Sequence, residues 1–321
     1  MVMLGPGDDG NAIAERKGIV SRMRAKNWVI GGLVAAFGIV FLVGNTLVTV
    51  RKDPETVRVA VLPDRDPDEV RRIYRPLLAY LTRETGLKFT LMVPKSYADL
   101  LDLFAAGRID LAKFGGYTYV KANTYHGARP LVMRDIDARF TTLFVTRRDG
   151  RFSNCRGLDC KGLKEAVFSF GSRLSTSGHL MPRHFLKVQK KMVPETCFRE
   201  VRYSGAHDKT VRQVQSGEAD FGAVNFAIYE EMLRSGRLEN GDVKIIWETP
   251  PYADYVWSVG AAMTEDLKTK LRDAFLRLDA NNPDHAEILG NMNAGLFLPA
   301  GSNDFAALKD IAKSLDMLDA K

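Results

Sequence analysis

The sequence contains one unit twice, about 110 residues apart, and this repeat limits the possible folds more than any other feature. Residues 97–113 read YADLLDLFAAGRIDLAK, and residues 208–224 read DKTVRQVQSGEADFGAV. Each predicts a helix with apolar residues on one face, a glycine turn, an aspartate and a short apolar strand. Two such units predict two similar α/β lobes, although single helix–glycine–strand units are common in α/β proteins. The recurring turn residues are Gly107, Asp110, Gly217 and Asp220.

The segments around the repeat continue an α/β rhythm. VRVAVLP at 57–63 predicts a buried strand, the helix pattern after it stops at Gly86, and KFTLMVP predicts a second strand. Two further strong strand candidates, 140–149 and 255–263, are placed to be the two chain crossings between lobes. The sequence therefore predicts largely parallel sheets, with 57–147 plus 253–321 as lobe 1 and 148–252 as lobe 2.

One apolar segment is long enough to cross a membrane as a helix. Residues 28–50 contain no charge, and five Lys or Arg residues precede them while two follow. The positive-inside rule then places residues 1–27 in the cytoplasm. We expect a single-pass anchor in a bacterial inner membrane, with the soluble part in the periplasm. A cleaved signal peptide is the alternative, but the run is long for one and lacks a small-residue cleavage site.

The charge distribution gives no sign of a nucleic-acid partner. The formal net charge is +7, and residues 1–52 carry seven basic and three acidic side chains. The remainder is close to balanced, without a dense Lys/Arg run or a zinc-finger or RNA-binding signature. The basic bias therefore flanks the apolar segment, and we expect no nucleic acid to bind.

Three cysteines follow the apolar segment, in a compartment that would permit disulfides. Cys155 and Cys160 could close a small loop, and a bridge between Cys160 and Cys197 is also possible. The odd number leaves one thiol over. Together with His184, these cysteines match no common zinc spacing, so we expect neither a metal site nor a cofactor.

Three hydroxyl side chains stand in a row between a predicted strand and a predicted helix, at Ser175, Thr176 and Ser177. Free N–H groups and the dipole at a helix N-terminus favour an anion, and hydroxyls add further donors. Pro182 places the helix start nearby, because proline is tolerated in a first turn. A hydrolase elbow would need a glycine two residues before Ser177, and no P-loop signature is present. The triplet predicts an anion site, with helix capping alone as the alternative.

His207 lies at a predicted strand-to-helix edge in the same lobe as the triplet. The strand before it ends at Gly205, and Asp208 is suited to cap the helix that follows. A histidine in this position can donate a hydrogen bond to an oxyanion. Ligands of open α/β sheets gather at the carboxyl ends of strands, so we expect His207 to join the hydroxyl triplet.

These features resemble the phosphate-, phosphite- and phosphonate-binding proteins of ABC importers, which have the type 2 periplasmic binding fold. The resemblance covers about residues 57–280 and is carried by SYADLLDLFAAGRIDLAKFGG, STSGHLMP, YSGAHDKTVRQVQSGEADFGAVN and DYVW. The STSG motif followed downstream by GAHD is its specific part. The resemblance implies two α/β lobes with mixed, mainly parallel sheets and two hinge crossings, here preceded by one transmembrane helix.

The resemblance also implies roles for individual residues. The family's histidine matches His207, and its first-lobe tyrosine matches Tyr97. An aspartate before the Val-Trp pair matches Asp254, which in aminophosphonate binders helps to hold the amine. Hydroxyls and adjoining amides of the STS motif clasp the phosphorus-bound oxygens in the family, and the matching residues are Ser175, Thr176 and Ser177.

Three features depart from the family pattern. Aminophosphonate binders place a glutamate shortly after the strand matching ADFGAV, where this chain reads NFAIY. An amine would lack one anionic partner there, which disfavours an aminoalkyl phosphonate. A tyrosine often found ahead of the crossing strand is replaced by Phe140. The uncleaved anchor also differs from the usual cleaved signal.

Together these patterns predict a membrane-tethered, non-enzymatic binding protein. It would capture a small phosphorus oxyanion (phosphonate, phosphite or phosphate) and present it to the permease and ATPase subunits of an ABC importer. One alternative is a receptor domain that signals ligand-induced closure to a separate membrane partner. Another is an enzyme on the same scaffold, with Cys197, Ser177 or His207 in catalysis.

Overall fold

The computed structural model describes residues 40–43, 46–49, 56–239 and 241–319. The described strands are β1 (Val40–Val43), β2 (Thr46–Thr49), β3 (Thr56–Val61), β4 (Lys88–Met92), β5 (Leu111–Phe114), β6 (Arg129–Arg134), β7 (Thr142–Arg147), β8 (Val167–Phe170), β9 (Glu200–Tyr203), β10 (Phe221–Asn225), β11 (Val243–Glu248), β12 (Val256–Val259) and β13 (Phe297–Pro299). The described α-helices are α1 (Pro67–Thr85), α2 (Tyr97–Ala105), α3 (Gly116–His126), α4 (Met181–Gln189), α5 (Pro194–Cys197), α6 (His207–Ser216), α7 (Phe226–Arg234), α8 (Glu265–Leu276), α9 (Pro283–Asn291) and α10 (Ala306–Ser314).

The predicted membrane anchor, residues 28–50, lies mostly outside the described residues, as does the predicted cytoplasmic segment 1–27. The described part of the anchor is β1 and β2, which pair as an antiparallel hairpin and are not helical. Both strands are rich in β-branched residues, and Gly-Asn between them is a hairpin-turn signal, so the local sequence favours strands. No helix within the described ranges is long and apolar enough to cross a membrane.

Residues 56–319 form two sheets. The six-stranded sheet has the order β13-β6-β12-β5-β3-β4, and the five-stranded sheet has the order β11-β7-β10-β8-β9. Among these described strands four pairings are parallel and five are antiparallel. The prediction of mainly parallel sheets is therefore wrong. The sheets are mixed because β7 and β12, the first strands after each crossing, enter antiparallel to their neighbours.

The chain passes between the two sheets twice, from β6 to β7 and from β11 to β12. The two passages meet at Phe140 and Tyr252, whose backbones exchange N–H···O hydrogen bonds of 2.7 and 3.0 Å. The predicted boundary at 147/148 is corrected by this topology, because β7 pairs with β10 and β11 in the five-stranded sheet. We call the six-stranded sheet and its helices the first lobe, and the five-stranded sheet and its helices the second lobe.

Apolar side chains cover both faces of each sheet. In the first lobe, α1, α8 and α9 pack around Trp257 on one face, and α2, α3 and α10 cover the other. Helix α1 illustrates the local cause: Asp66 caps it through the amides of Asp68 and Glu69, Pro67 occupies its first position, and Gly86 ends it with φ of 70°. The cluster on the α2–α3 face also includes Leu180 and Met181 of the second lobe, so apolar packing joins the lobes.

The repeated unit occupies the same place in both lobes. Asp110 N donates to Arg58 O at 2.9 Å, and Arg58 N donates back to Asp110 Oδ2 at 2.8 Å. Asp220 and Val167 form the same two bonds at 2.9 and 2.8 Å. Each aspartate thus fixes the turn that leads from the repeat helix into β5 or β10. The glycines of these turns have left-handed φ values of 64° at Gly107 and 81° at Gly217.

The last described residues are tied to α3. The Tyr117 hydroxyl donates to the Met317 carbonyl at 2.5 Å, and the Lys121 ammonium donates to the Leu318 carbonyl at 2.8 Å. Helix α10 also packs on α3 through the apolar cluster that they share. The segment at Met317 and Leu318 therefore holds the helix whose N-terminus faces the second lobe.

The cysteines adopt one of the two pairings that the sequence leaves open. Cys155 and Cys160 form a disulfide, and Cys197 is unpaired and partly buried. No group of three or more His, Cys, Asp or Glu side chains within the described ranges is arranged to hold a metal ion.

Candidate functional site

The hydroxyl triplet lies at a helical N-terminus that follows β8. Ser175 has an extended backbone and is the cap of the π-helical turn Thr176–Leu180, which continues into α4. Its Oγ accepts a hydrogen bond from Gly178 N at 2.9 Å. Pro182 falls in the first turn of α4, as the sequence requires. All three triplet side chains are buried, with at most 2% of each residue exposed.

Thr176 connects the second lobe to the first. Its Oγ1 accepts a hydrogen bond from Tyr117 N at 2.9 Å, at the N-terminus of α3. Asp254 accepts from the neighbouring amide, Gly116 N, through Oδ1 at 2.9 Å. A Cβ atom on Gly115 would stand 3.3 Å from Thr176 Oγ1 and 3.5 Å from Asp254 Oδ1. The glycine therefore permits the close approach of both side chains to the start of α3.

Three buried polar atoms of the predicted site have no hydrogen-bond partner among the described residues. They are Tyr97 Oη, Ser177 Oγ and Asp254 Oδ2. Two further atoms of this kind, Trp257 Nε1 and Ser258 Oγ, lie within β12. Because buried polar groups are almost always satisfied, three orphaned atoms on residues of one cleft indicate a site for a polar ligand.

His207 is fully buried at the start of α6 and has protein partners on both ring nitrogens. Nδ1 accepts from Asn225 N at 3.2 Å, and Nε2 lies 3.3 Å from Ser175 Oγ. Burial lowers the pKa of His207 to about 4, so the ring is neutral at pH 7. Since Nδ1 is an acceptor, the single ring proton is on Nε2.

The protonated Nε2 of His207 therefore donates to Ser175 Oγ, which also accepts from Gly178 N. Both acceptor positions of this oxygen are then occupied, and its own O–H is left as a donor. The expectation from sequence was a direct bond from His207 to an oxyanion. The structure shows a bond between Nε2 and the triplet hydroxyl of Ser175, and the direct bond to an oxyanion stays a prediction.

The electrostatics of Tyr97 and Asp254 differ. Burial raises the pKa of Tyr97 well above its ordinary value, and Ser175 and Asp254 are among the groups that also affect it. Its phenol is therefore a permanent O–H donor. Burial raises the pKa of Asp254 to about 6, against the lowering effects of Gly116 N–H and the Thr176 and Ser177 hydroxyls. Asp254 can thus accept or donate a proton near neutral pH.

The structure brings the six residues predicted from sequence together. Ser175 contacts His207, and it is close enough to Tyr97 to lower the pKa of the phenol. The hydroxyls of Thr176 and Ser177 likewise lower the pKa of Asp254. The cleft thus combines three hydroxyl donors and a carboxyl group, without an arginine or lysine side chain bonded to any of the six in the described part of the chain.

Sequence reasoning missed the residues that support this group. Asn225 caps α7 through Ile228 N, and its Nδ2 donates across the lobes to Tyr255 Oη at 2.9 Å. Asp64 O accepts from His207 N at 3.3 Å, also across the lobes. The signal for Asp64 was its place at the carboxyl end of β3, where ligand sites of such sheets gather.

A network of ion pairs also joins the lobes at the outer edge of the cleft. The Arg237 guanidinium, after α7, donates to the Glu69 carboxylate of α1 at 2.6 and 3.0 Å. Arg237 also pairs with Glu231, and Arg65 lies 3.5 Å from Glu69 and 3.8 Å from Glu231. The described cleft is therefore closed by polar contacts at its rim as well as at the hydroxyl triplet.

Comparison with known proteins identifies the family. The family model described as "ABC transporter, phosphonate, periplasmic substrate-binding protein" matches residues 59–305. This chain belongs to that family. It is thus a periplasmic substrate-binding protein of an ABC transporter, with a two-lobed, mixed α/β fold.

Individual relatives agree with this assignment. The probable ABC transporter phosphite binding protein PhnD1 of Prochlorococcus marinus (strain MIT 9301) is 28% identical over 292 residues, which cover 87% of this chain and 98% of PhnD1. The phosphate-import protein PhnD of Mycolicibacterium smegmatis is 28% identical over 242 residues, or 71% of this chain and 73% of PhnD. The solved structure of PhnD1 in complex with methylphosphonate matches with a TM-score of 0.76, over 83% of this chain and all of that chain.

Proposed function

We propose that this chain binds a small phosphorus oxyanion between its lobes and presents it to the permease and ATPase subunits of an ABC importer. The observation that carries the proposal is the set of orphaned atoms Tyr97 Oη, Ser177 Oγ and Asp254 Oδ2, together with the Ser175 hydroxyl that His207 and Gly178 hold in place. Three donors and one carboxyl oxygen match a tetrahedral oxyanion that carries one proton. Similar proteins named for phosphite and phosphate, and a structure with methylphosphonate, support this ligand class.

The proposed contacts divide by chemistry. The hydroxyls of Tyr97, Ser175 and Ser177 donate to oxygens on phosphorus, and Asp254 Oδ2 accepts from a protonated oxygen of the same group. Thr176 has a different task, because its Oγ1 already accepts from Tyr117 N. It holds the two lobes together around the ligand, which is how binding favours the closed form.

The surroundings favour a ligand without an amine. The segment NFAIY places Phe226 against Phe140, with ring centroids 4.7 Å apart, and Ala227 and Ile228 are buried in apolar clusters. A glutamate for an ammonium group is missing at this position. We therefore expect phosphite, phosphate and methylphosphonate to bind more tightly than 2-aminoethylphosphonate.

We also propose that residues 28–50 tether the protein to the inner membrane with the binding lobes in the periplasm. The support is the uncharged length of this segment and the excess of basic residues before it. Extraction of membranes at alkaline pH tests the tether: the chain should stay with the membrane, and its release would overturn this part of the proposal.

Calorimetry on the full chain in mild detergent tests the ligand assignment, with phosphate, phosphite, methylphosphonate and 2-aminoethylphosphonate as probes. The Ser175→Ala/Ser177→Ala variant should lose about 100-fold or more in affinity, since hydrogen bonds to charged groups are each worth about 1.5–3 kcal/mol. Ser216→Ala, an exposed serine of the same lobe, is the matched control and should bind as the wild type. Failure of all four probes to bind below millimolar concentration, or unchanged affinity in the double variant, would refute the assignment.

A further inference from the structure

A buried lysine stands behind the site. Lys113 lies in β5 between Val61 of β3 and Trp257 of β12, and it is 3% exposed. Its Nζ is 3.7 Å from the ring centroid of Tyr255 and 5.8 Å from that of Tyr74. The ammonium forms no hydrogen bond or ion pair with the described residues. The Tyr255 ring offsets part of the cost of burying this ammonium, and no carboxylate among the described residues pairs with it.

The charges around Lys113 are otherwise matched. Arg65 lies 3.2 Å from Asp64, and Arg134 lies 2.6 Å from Asp137. These two pairs of opposite charge cancel, so Lys113 is the unpaired charge among these five side chains, while Asp254, the residue before Tyr255, is the unpaired carboxyl group of the cleft. Six charged or titratable side chains face Lys113. They are Asp64 and Arg65 after β3, Arg134 and Asp137 at and after the end of β6, Tyr74 of α1, and Tyr255 before β12.

Tyr255 connects this charge to the binding cleft. It follows Asp254 in the chain, and its Oη accepts from Asn225 Nδ2. Asn225 N in turn donates to His207 Nδ1, and His207 orients Ser175. The Tyr255 ring therefore has the Lys113 ammonium 3.7 Å and the Arg134 guanidinium 5.5 Å from its centroid, and its hydroxyl is linked to the hydrogen-bond chain of the cleft.

We propose that the Lys113 ammonium is the countercharge of the bound oxyanion and acts from behind Tyr255 without touching the ligand. The inference rests on the proposed function and adds a residue that sets affinity by charge. The proposal explains how the cleft could bind an anion although none of the six side chains predicted to line it is a lysine or an arginine. Lys113 acts on the ligand through its charge and not by contact, so its effect on affinity should depend on whether its amine is protonated.

The direction of the pH effect follows from burial. Burial, with further lowering by Arg134 and Arg65, brings the pKa of Lys113 to about 7, while Asp64 and Asp137 raise it. A bound anion stabilises the ammonium and raises this pKa again, so binding above pH 7 takes up a proton. The contribution of Lys113 to affinity is therefore complete below pH 7 and declines as the pH rises above 7.

Titration of the full chain with methylphosphonate between pH 6 and pH 9 tests the proposal, because ligand ionisation is common to all variants. Lys113→Met should bind about tenfold more weakly than the wild type at pH 6, which is the scale of a charge pair at an effective dielectric constant of about 20. This ratio should shrink towards unity at pH 9. Lys113→Arg keeps its charge, so it should bind as the wild type at pH 6 and more tightly than the wild type at pH 9.

A ratio for Lys113→Met that is the same at every pH would show a packing role and overturn the proposal, as would unchanged affinity at pH 6. Should Lys113→Met fail to fold, Lys113→Arg decides alone: a flatter pH profile than the wild type supports the proposal, and the same profile contradicts it. A wild type that binds none of the four probes would instead remove the proposed function and this inference together.

Discussion

Tyr97 and His207 begin the two repeated helices, 110 residues apart, and yet the structure uses them differently. Each is the first residue of its helix, α2 or α6, and both are buried. Tyr97 leaves its hydroxyl without a partner among the described residues, whereas both nitrogens of His207 are bonded to the protein. The first lobe therefore presents a free donor, and the second lobe presents a donor that is oriented through a neighbour.

The next repeated position shows the same division. Gly115 and Asn225 are the N-caps of α3 and α7, again 110 residues apart. Gly115 has no side chain and admits Thr176 and Asp254 to the start of α3, while Asn225 caps its own helix and bonds to Tyr255. The repeat thus fixes where helices begin. The side chains at those positions decide whether a lobe contributes groups to the cleft or holds such groups in place.

The largest expected difference between the equivalent positions is in pH-dependent stability. His207 has a pKa of about 4 in the folded protein and about 6.5 when unfolded, so the unfolded chain takes up its proton first as the pH falls. The free energy of unfolding should fall by about 3 kcal/mol between pH 6.5 and 4 on this account. In denaturant unfolding, the free energy of unfolding of His207→Gln should fall less between pH 6.5 and 4 than that of the wild type.

His179 is the matched control for this measurement. Burial also lowers its pKa to about 4, but it lies in a separate cluster with Arg183 and Tyr203. His179→Gln should remove a comparable share of the acid destabilisation. The same pH slope in His207→Gln and the wild type would show that His207 is not held neutral by burial.

Tyr97→Phe tests the free donor of the first lobe. The variant should bind methylphosphonate about 10- to 100-fold more weakly, because a hydrogen bond to a charged oxygen is lost. Its stability should be unchanged or higher, since the deleted hydroxyl has no partner among the described residues. Tyr80→Phe is the control: its hydroxyl donates to Ala274 O at 2.8 Å, so stability should fall and affinity should not. The reverse pattern would place Tyr97 outside the site.

Gly115→Ala tests whether Thr176 and Asp254 must come close to the start of α3. No such contact is described at Asn225, the equivalent position of the second lobe. The new Cβ at 3.3 Å from Thr176 Oγ1 would separate the lobes slightly, so we expect affinity to fall several-fold in calorimetry. Gly260→Ala, where no atom lies within 4 Å of the added carbon, should bind as the wild type. Equal affinities in the two variants would mean that the contact at Gly115 does not control closure.

Arg237→Ala should have the smallest effect. The ion pair between Arg237 and Glu69 joins the lobes at a partly exposed edge, and such pairs contribute at most about 1 kcal/mol. The variant should bind a few-fold more weakly than the wild type at low salt. At high salt the two affinities should converge, because the ion pair of the wild type is screened. Arg277→Ala breaks a comparable pair with Glu84 inside the first lobe and should leave affinity unchanged. A similar loss in both variants would argue against a contribution of the Arg237 pair to closure.

Local signals explain what could be predicted from the sequence. The glycine and aspartate of each repeat act on neighbouring backbone, and the hydroxyl triplet is recognisable because an N-cap is defined by a few consecutive residues. The lobe boundary could not be placed in this way. The composition of β7 marks it as a strand but does not state which sheet it joins, since pairing depends on distant partners.

The support of the site was hidden for the same reason. The tautomer of His207 depends on the amide of Asn225, which lies 18 positions further along the chain. Lys113 is one charge in a short apolar stretch, and only the strands on either side of β5 bury it. Contacts between distant segments therefore decide roles that residue type alone leaves open.

The hydrogen bond between Tyr117 and Met317 links the segment after α10 to ligand capture. One residue gives its amide to Thr176 and its hydroxyl to the Met317 carbonyl. A sequence inserted directly after residue 319 would disturb the helix that receives the second lobe, because Tyr117 of that helix bonds to Met317. For biosensor or purification work, an affinity tag or label should therefore be attached at another position.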